Sequence, residues 1–510
     1  MMSPVQWATL GFLSFLLILA YIRDNDGKLK TIPARAAQLS PNRWSPKDVE
    51  RMASECELAA PSIDDQLPPK TGRRYIVIGG AGFLGGWIVL QLLRRGEDPK
   101  RIRVLDIRPP KRLDLLEGKA KDVKFLQVDI SDKMAVDAAF SEPWPDDDES
   151  PISVFNTAAN IRFYERHSSL IPLSAKVNIQ GAENIIDACR KVGASVLVHT
   201  SSGSVSVHSS CFLLWPWQEE PKHFVQVIND DDELIPKAHK DFFSNYGYTK
   251  RQAEILVRGA NDADSLRTGC LRPGNGIFGA GGDMLCGAYL VRKSNPTWIQ
   301  NIVSSFTYVE NCALAHLLYE ERLIESSKLG GQAFCIADPG APPTYGDVYT
   351  ELEVLDGEVS FPHLSPTFML LLAYLFEFLY LTRHLLNTYG YPFLASFIPN
   401  IAEGDLVNLQ PSLYNLTMVH LIFDDSRARL PPEKGGLGYK GAFTTFEGLY
   451  KTAVEHRRGL NRPGAMARSD VAGVSFKGMG FMKAQRGVGW LADKIKEETG
   501  VDPVEVLASS

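Results

Sequence analysis

Residues 245–250 have the sequence NYGYTK, in which two tyrosines precede a lysine. A helix places residues i and i+4 on one face, so Lys250 shares a face with Tyr246, whereas Tyr248 points elsewhere. The unperturbed pKa of a phenol is about 10, too high for a base at neutral pH, but a nearby ammonium favours the phenolate. The spacing predicts that Tyr246 is a general base tuned by Lys250, and that Tyr248 packs or forms a substrate wall.

A second source of reactive groups is the stretch LVHTSSGSV, which has the pattern of a strand ending in hydroxyls and precedes the tyrosines. Ser202 is placed to hydrogen-bond the reacting oxygen of a substrate, and Thr200 and Ser201 are alternatives by position. An ordinary turn at a strand end would also account for the serines. Because Y-x-x-x-K matches are common by chance, the prediction depends on the order of these segments along the chain.

The stretch IVIGGAGFLGG places Gly79, Gly82 and Gly85 in a G-x-x-G-x-x-G array between a buried strand and a helix. The first glycine permits a tight turn, the second lets the backbone approach a pyrophosphate, and the third allows close helix–strand packing. The helix N-terminus offers free N–H groups to phosphates. The array predicts a dinucleotide site, in which Lys250 holds the nicotinamide ribose and an oxidised nicotinamide further favours the Tyr246 phenolate.

Residues at the predicted strand ends indicate which dinucleotide binds. Asp106, in RVLDIR, would accept hydrogen bonds from the adenosine ribose and repel a 2′-phosphate, which favours NAD over NADP. Arg108 could offset that repulsion, so NADP stays an alternative. Asp129 and Ile130, in QVDISD, end the third strand where an adenine would lie, although Asp129 could instead cap a helix.

Composition excludes some classes of partner and site. The seven cysteines are scattered without a C-x-x-C pair, which argues against a zinc site and indicates a reducing compartment. The net charge of −6 gives no reason to expect nucleic acid as a partner. We therefore expect no metal in the site.

Strands and helices alternate from Arg73 onward, beginning with the strand RYIVIGG and the amphipathic helix GFLGGWIVLQLLRRG. The pattern predicts an α/β fold, with a Rossmann-type doubly wound parallel sheet and a smaller, mostly C-terminal substrate-binding subdomain. The predicted division is 1–22 for a membrane anchor, 23–70 for a linker with at most one short helix, 71–335 for the NAD-binding domain with substrate loops at 203–245 and 274–300, 336–460 for the membrane-associated subdomain, and 461–510 for a tail.

The predicted anchor is the uncharged run from Val5 to Ile22, which as a helix would be about 27 Å long, close to the hydrocarbon thickness. A cleaved signal peptide is the alternative. It would carry positive charge before the apolar run, whereas the nearby basic residues here, beginning with Arg23, follow it, and no A-x-A site closes the run. We expect an uncleaved transmembrane helix with the body of the protein in the cytosol.

A second apolar run, Thr367 to Leu381, is short for a membrane span and contains Glu377. It predicts either a buried helix or, with the neighbouring YPFLASFIP, a helix in the membrane interface; the aromatic content favours the interface. The tail segment GFMKAQRGVGWLADKIKEE could form an amphipathic surface helix or a solvated one.

Together these motifs resemble the extended short-chain dehydrogenase/reductase superfamily and, within it, the family of 3β-hydroxysteroid dehydrogenases and sterol-4α-carboxylate 3-dehydrogenases. The resemblance runs from about Arg73 to Thr452. Its motifs appear in the family's order: GGAGFLG, TSS, YGYTK followed by RQAE, LRPGNGIFG, FTYVENCALAHLL, GQAFCIAD and LIFDDSRARLPPEKGGLGY.

The resemblance implies that Ser202, Tyr246 and Lys250 form the catalytic triad, that the segment after Arg272-Pro273 lies by the nicotinamide, and that YVENCALAH borders the substrate cleft. Three features depart from the family pattern. Asn156 stands where members usually have a histidine, LRPGNGIFG carries one extra residue, and the stretch between Ser202 and Tyr246 is long. The cofactor-binding residues expected in addition to those above are Phe83, Leu84, Ala158 and Pro273.

The resemblance implies an NAD-dependent oxidation of a sterol 3β-hydroxyl at the endoplasmic reticulum membrane, followed by loss of CO2 when C4 carries a carboxylate. Sterol, membrane lipid and other enzymes of sterol C4 demethylation are the expected partners. The alternatives are a 3β-hydroxysteroid dehydrogenase with Δ5–Δ4 isomerase activity or an enzyme of a specialised terpenoid pathway, a sugar-nucleotide epimerase or small-ketone reductase, and an inactive membrane scaffold. The apolar runs disfavour the sugar-nucleotide enzymes, and the intact triad disfavours the scaffold.

Overall fold

A computed structural model describes residues 3–145, 149–274, 276–403 and 405–459. Seven strands form one parallel sheet in the order β10-β7-β5-β4-β1-β2-β3, and two short parallel pairs, β6 with β11 and β8 with β9, lie outside it. The strands are β1 Arg74–Ile78, β2 Ile102–Asp106, β3 Lys124–Gln127, β4 Ile152–Asn156, β5 Val196–Thr200, β6 Val225–Ile228, β7 Arg267–Pro273, β8 Ile277–Phe278, β9 Thr307–Tyr308, β10 Gln332–Ile336 and β11 His420–Phe423.

The helices cover both faces of this sheet, which confirms the predicted doubly wound fold. The helices are α1 Pro4–Lys30, α2 Ala34–Leu39, α3 Pro46–Leu58, α4 Phe83–Arg94, α5 Leu113–Leu116, α6 Lys133–Ser141, α7 Ile171–Ala175, α8 Gly181–Lys191, α9 Asn245–Gly259, α10 Cys286–Arg292, α11 Val309–Glu325, α12 Tyr345–Leu355, α13 Pro366–Thr388, α14 Pro392–Ser396, α15 Pro411–Thr417, α16 Ser426–Arg429 and α17 Thr445–Arg457.

The sheet is apolar on both faces because successive strand residues point to opposite sides. In β1, Tyr75 and Val77 pack with α4 and α11, whereas Ile76 and Ile78 pack with α6, α8 and α9. All four side chains have no exposed surface. The two cores fix the carboxyl ends of the strands along one edge, where the predicted site residues lie.

The substrate loops are joined to the C-terminal part of the chain. β6, inside the predicted loop 203–245, pairs with β11, inside the predicted subdomain 336–460. Ser294 and Thr297, inside the predicted loop 274–300, form single β-bridges with Ser360 and His363 of that subdomain. Residues far apart in sequence therefore build one substrate-side layer at the carboxyl edge of the sheet.

The segment 23–70 differs from the predicted linker, because it contains the end of α1 and the helices α2 and α3. Asn25 Nδ2 donates to the carbonyl of Phe212 (2.9 Å) and to Thr367 Oγ1 (2.8 Å), so the end of α1 is bound to the body. α3 begins with a capping box between Ser45 and Asp48 and buries Val49. Pro33 and Pro46 lie at the starts of α2 and α3, where proline is tolerated.

Within the described residues, two helices, α1 and α13, are long and apolar enough by length and composition to cross a membrane. The side chains of α1 up to Ala20 are exposed. α13 buries one face and exposes the other. The predicted run from Thr367 to Leu381 is therefore a half-buried helix rather than a fully buried one. Glu377 forms an ion pair with Arg166, at 2.5 Å from Oε1 to Nε, which gives its carboxylate a partner. The tail at 461–510 lies outside the described residues.

Candidate active site

All the residues predicted for the cofactor and for catalysis line one continuous cavity of about 720 Å³ at the carboxyl edge of the sheet. One end, the cofactor half, lies between the glycine loop and the ends of β2 and β3. The other end, the substrate half, lies against α12 and α15. The predicted residues found on the cavity wall are Gly79, Gly82, Phe83, Leu84, Gly85, Asp106, Arg108, Asp129, Ile130, Ala158, Ser202, Tyr246, Lys250 and Pro273.

The glycine loop places a helix N-terminus at the cavity wall. Gly79 has a φ of +76°, a left-handed conformation that favours glycine. A Cβ on Gly85 would lie 2.2 Å from the carbonyl oxygen of Gly79, so the helix could not approach the strand with any larger residue. A Cβ on Gly82 would meet only the Gly79 carbonyl oxygen, at 3.1 Å, and Asp106 Oδ2, at 3.9 Å. The remaining space beside Gly82 fits the phosphates of a dinucleotide at the N-terminus of α4.

The acidic residues of the cofactor half are held by backbone N–H groups. Asp106 accepts from the N–H of Ala81 and of Arg108, both at 3.2 Å, while burial raises the pKa of its carboxyl. Asp129 accepts from the N–H and hydroxyl of Ser131, and these hydrogen bonds lower its pKa. Asp132, rather than Asp129, caps α6, so the alternative role considered for Asp129 is wrong.

Tyr246 and Lys250 lie one turn apart on α9 and face the cavity, whereas Tyr248 does not line it. The ring of Tyr248 packs edge-on against His239 and Phe242, with centroids 5.1 and 5.5 Å apart. Helical periodicity thus separates the two tyrosines as the spacing predicts. The sequence alone did not reveal that Tyr248 packs in a small separate cluster with His239 and Phe242.

The three hydroxyls at the end of β5 have different partners. Thr200 Oγ1 lies 2.7 Å from His316 Nε2, and Ser201 Oγ donates to Glu254 at 2.7 Å. Ser202 Oγ lies 2.7 Å from Ser204 Oγ and hydrogen-bonds the phenol of Tyr246. All three residues line the cavity, and Ser202 is the one among them that interacts with the phenol of Tyr246.

Burial dominates the electrostatics of the pair on α9. Desolvation raises the pKa of Tyr246 to about 12, and the hydrogen bond from Ser202 opposes that rise. Desolvation lowers the pKa of Lys250 to about 8, although Cys270 and Glu254 favour its charged form. Lys250 Nζ donates to the carbonyl of Thr200 at 2.6 Å and lies 3.3 Å from His199 Nε2. A bound positive charge near the phenol would favour its ionisation.

The substrate half is apolar and aromatic. The sequence predicted substrate segments at 274–300 and 336–460, but it did not identify the individual residues of this wall. The wall contains Trp298 and Asn295, whose buried Nε1 and Oδ1 atoms have no hydrogen-bond partner in the part of the chain that the structure describes. Trp298 stacks on Tyr414 with centroids 5.7 Å apart. These segments carry no motif and come together only in the fold. The other residues on this wall include Ile161, Phe163, Met284, Leu285, Tyr289, Ile299, Tyr345, Tyr349, Phe361, Leu413 and Leu416.

Comparison with known proteins relates the chain to one family. The sequence profile described as the 3-beta hydroxysteroid dehydrogenase/isomerase family matches residues 76–355. The chain is 30% identical over 407 residues to "3beta-hydroxysteroid-dehydrogenase/decarboxylase isoform 2" of Arabidopsis thaliana, which covers 75% of this chain and 62% of that relative. The match therefore spans less than two thirds of that relative's length.

A second relative agrees with this relation, and a solved structure shares the fold. The chain is 32% identical over 282 residues to "Sterol-4-alpha-carboxylate 3-dehydrogenase ERG26, decarboxylating" of Candida albicans, covering 53% of this chain and 71% of the relative. The solved structure of MoeE5 in complex with UDP-glucose and NAD is 18% identical and has a TM-score of 0.50, covering 76% of this chain and 99% of that chain. At this identity the structural match supports the fold alone.

Proposed function

The chain belongs to the 3-beta hydroxysteroid dehydrogenase/isomerase family, a family of oxidoreductases that act on CH–OH groups, and from that membership we propose that it oxidises a sterol 3β-hydroxyl with NAD+. We further propose that its substrate carries a 4α-carboxylate, which is lost as CO2. The observation that supports this function best is that Tyr246 and Lys250 lie in one continuous cavity, between its cofactor half and its apolar substrate half.

In this proposal the chain's own residues handle the proton and the orientation. Tyr246 removes the proton of the 3β-hydroxyl, and Ser202 hydrogen-bonds the same oxygen. Lys250 stabilises the phenolate and holds the nicotinamide ribose. NAD+, when bound, accepts the hydride that leaves C3. The aromatic walls exclude water from this step.

Decarboxylation needs no further base in this scheme. Oxidation of the C3 hydroxyl turns a 4-carboxylated sterol into a β-keto acid. The C4–carboxyl bond then breaks, its electron pair forms the enolate of the 3-ketone, and CO2 departs. The enolate is stabilised by delocalisation onto the C3 oxygen, close to the hydrogen-bonding groups of Tyr246 and Ser202. A proton added at C4 completes the 3-keto product.

NAD is the proposed cofactor because a carboxylate lies where a 2′-phosphate of NADP would have to fit. Asp106 is fixed by two backbone N–H groups, so it cannot rotate away without losing both hydrogen bonds. Its charge favours ribose hydroxyls over a phosphate. Arg108 lines the same end of the cavity, which keeps NADP as the weaker competitor.

We propose that α1 crosses the endoplasmic reticulum membrane once and leaves the catalytic body in the cytosol. Its exposed apolar stretch has the length of a span. Beside its buried end lie Trp215 and Trp217, which are exposed and stack with centroids 5.2 Å apart. Lys28 Nζ donates to the carbonyl of Pro216 at 3.0 Å and so ties this loop to α1. Tryptophans at this position suit the interface between lipid and water.

The exposed face of α13 and the aromatic segment after it form a second proposed lipid contact. Phe378, Phe393 and Phe397 are 64%, 72% and 73% exposed, an unusual concentration of apolar surface. α13 packs on both α1 and α15, and α15 lines the substrate half of the cavity. A sterol dissolved in the bilayer would therefore reach the cleft over a short apolar route. Other enzymes of C4 demethylation, working on the same membrane, are the proposed partners.

The test is to incubate microsomes containing the protein with NAD+ and a sterol labelled in its 4α-carboxyl group, and to measure labelled CO2. Microsomes containing the Tyr246→Phe variant serve as the control. NAD+-dependent release from the wild type alone supports the proposal. Conversion of a Δ5-3β-hydroxysteroid to a Δ4-3-ketone, without release of CO2 from the carboxylated sterol, would instead favour the isomerase function.

A further inference from the structure

A buried row of three polar side chains lies beneath the reacting end of the cavity. Asn156 at the end of β4 and His199 in β5 are register partners on neighbouring strands, and Lys250 reaches them from α9. Their side chains are at most 2% exposed. Asn156 Nδ2 lies 3.0 Å from His199 Nδ1, and His199 Nε2 lies 3.3 Å from Lys250 Nζ.

The backbone determines which atom of the Asn156 amide faces His199. Asn156 Oδ1 accepts from the N–H of Ala158 at 3.2 Å, and rotating the amide would place two donors against each other. Nδ2 therefore donates to His199 Nδ1. Because a neutral imidazole carries one proton, the proton of His199 must lie on Nε2. Burial keeps this ring neutral, since it lowers the pKa of His199 well below its usual value.

The Nε2–H of His199 then points at the nitrogen of Lys250. An ammonium has no lone pair and cannot accept this hydrogen bond, whereas a neutral amine can. We propose that Asn156 fixes the proton of His199 on Nε2 and thereby disfavours the ammonium form of Lys250. Asn156 thus sets the pH above which Lys250 no longer supports Tyr246 as the base. Asn156 and His199 are positioning residues in this view, because neither lines the cavity.

The other groups around Lys250 act in both directions. Glu254 on α9 and Cys270 on β7 favour the ammonium, but Glu254 is already paired with Arg272 at 2.6 Å. Tyr246 lies one turn away on α9 and favours the ammonium once it is ionised. On the far side of Thr200, His316 Nδ1 donates to the carbonyl of Cys312 at 2.7 Å, and burial lowers the pKa of His316 to about 4, so this ring carries no charge.

The proposal rests on the proposed function of Tyr246 and Lys250, and its main test is the pH dependence of kcat/KM for sterol oxidation. At saturating NAD+, whose positively charged nicotinamide favours the Tyr246 phenolate, the rate should rise as Tyr246 loses its proton and fall as Lys250 loses its own. In Asn156→Asp, one carboxylate oxygen still accepts a hydrogen bond from the N–H of Ala158, and the other accepts one from the Nδ1–H of His199. Nε2 then becomes an acceptor for the ammonium, and the falling limb should move up by about one pH unit.

Asn156→Leu removes the amide without adding a charge, so it separates the effect of the proton position on His199 from the effect of the carboxylate charge in Asn156→Asp. Without the amide, His199 is free to carry its proton on Nδ1 and to accept from Lys250, so this limb should also move upward. Tyr248→Phe, outside the cavity on the same helix, is the matched control and should keep the wild-type profile. A shift in Asn156→Asp alone would show an effect of charge and overturn the proposal. Unchanged limbs in both Asn156 variants would also overturn it.

Proton uptake on NADH binding can be measured even if a variant is catalytically inactive. NADH binding brings negative phosphates and ribose hydroxyls toward Lys250, so the wild type should take up a fraction of a proton near pH 8. Calorimetric titration in buffers of different ionisation enthalpy measures this uptake, and both Asn156 variants should reduce it. Equal uptake in all proteins would overturn the proposal. A wild type that binds NADH but oxidises no sterol would contradict the proposed function while this measurement still tests the inference.

Discussion

The cofactor half and the substrate half of the cavity are built by opposite means. In the cofactor half, Gly79, Asp106 and Asp129 follow three successive strands, and each is placed by its own strand end. In the substrate half, Trp298, Phe361 and Leu413 come from segments without a shared motif. Local backbone geometry places the first set, whereas packing of distant segments places the second.

Because of this difference, each half suits a different kind of bound molecule. Strand ends and a helix N-terminus give a rigid set of hydrogen-bonding groups, which suits a polar cofactor of fixed shape. Packed aromatic side chains give a large apolar surface with few directed groups, which suits a sterol. Tyr246, Lys250 and Ser202 lie where the two halves meet, so a substitution there should affect both.

The largest effect is expected at this meeting point. Tyr246→Phe removes the base but keeps the ring, and kcat should fall by about 10²–10⁴-fold while NADH affinity stays nearly unchanged. Steady-state oxidation and NADH fluorescence titration measure the two quantities. Tyr248→Phe is the matched control and should keep most of the activity, because its ring packs outside the cavity. Comparable losses in the two variants would contradict the assignment of Tyr246.

A substitution in the substrate half should affect the sterol and spare the cofactor. Leu413→Ala removes apolar contact worth about 1.5 kcal/mol, so KM for the sterol should rise about tenfold while KM for NAD+ is constant. Leu430→Ala, a partly exposed leucine away from the cavity, is the control. An equal rise in both KM values would show that the two halves are not separable.

A substitution in the cofactor half should change the cofactor preference, with a smaller effect than that expected for the sterol. Asp106→Ala removes the charge that opposes a 2′-phosphate, so the preference for NAD+ over NADP+ should narrow by about 2- to 5-fold, the scale of a partly exposed charge interaction. Ratios of kcat/KM measure this preference. A wild-type enzyme that works better with NADP+ would show that Arg108 governs this end.

The smallest effect is expected on the outer surface of the substrate half. A chain lacking Met1 to Ile22 should still float with liposomes and resist carbonate extraction, because the aromatic face near α13 inserts into the interface. Changing Phe378, Phe393 and Phe397 to serine in that chain should release it. Changing the exposed Leu58 and Met134 to serine is the control. A truncated, active chain that stays fully soluble would show that this face does not bind lipid.

The sequence by itself determined the alternation of strands and helices, the glycine loop, the acidic strand ends and the pairing of Tyr246 with Lys250. These features depend on short-range periodicity and on backbone geometry within a few residues, which a sequence states directly. It also predicted the exposed α1, although the helix continues to Lys30 and the following segment is helical rather than a linker.

Only the tertiary structure decided which hydroxyl of the β5 end faces the phenol, that Asp132 and not Asp129 caps α6, and which residues form the substrate half. It also brought Asn156, His199 and Lys250 into one buried row. Each of these depends on contacts between segments distant in sequence. Such contacts form because the sheet and its insertions bury apolar surface together, and no spacing within one segment encodes them.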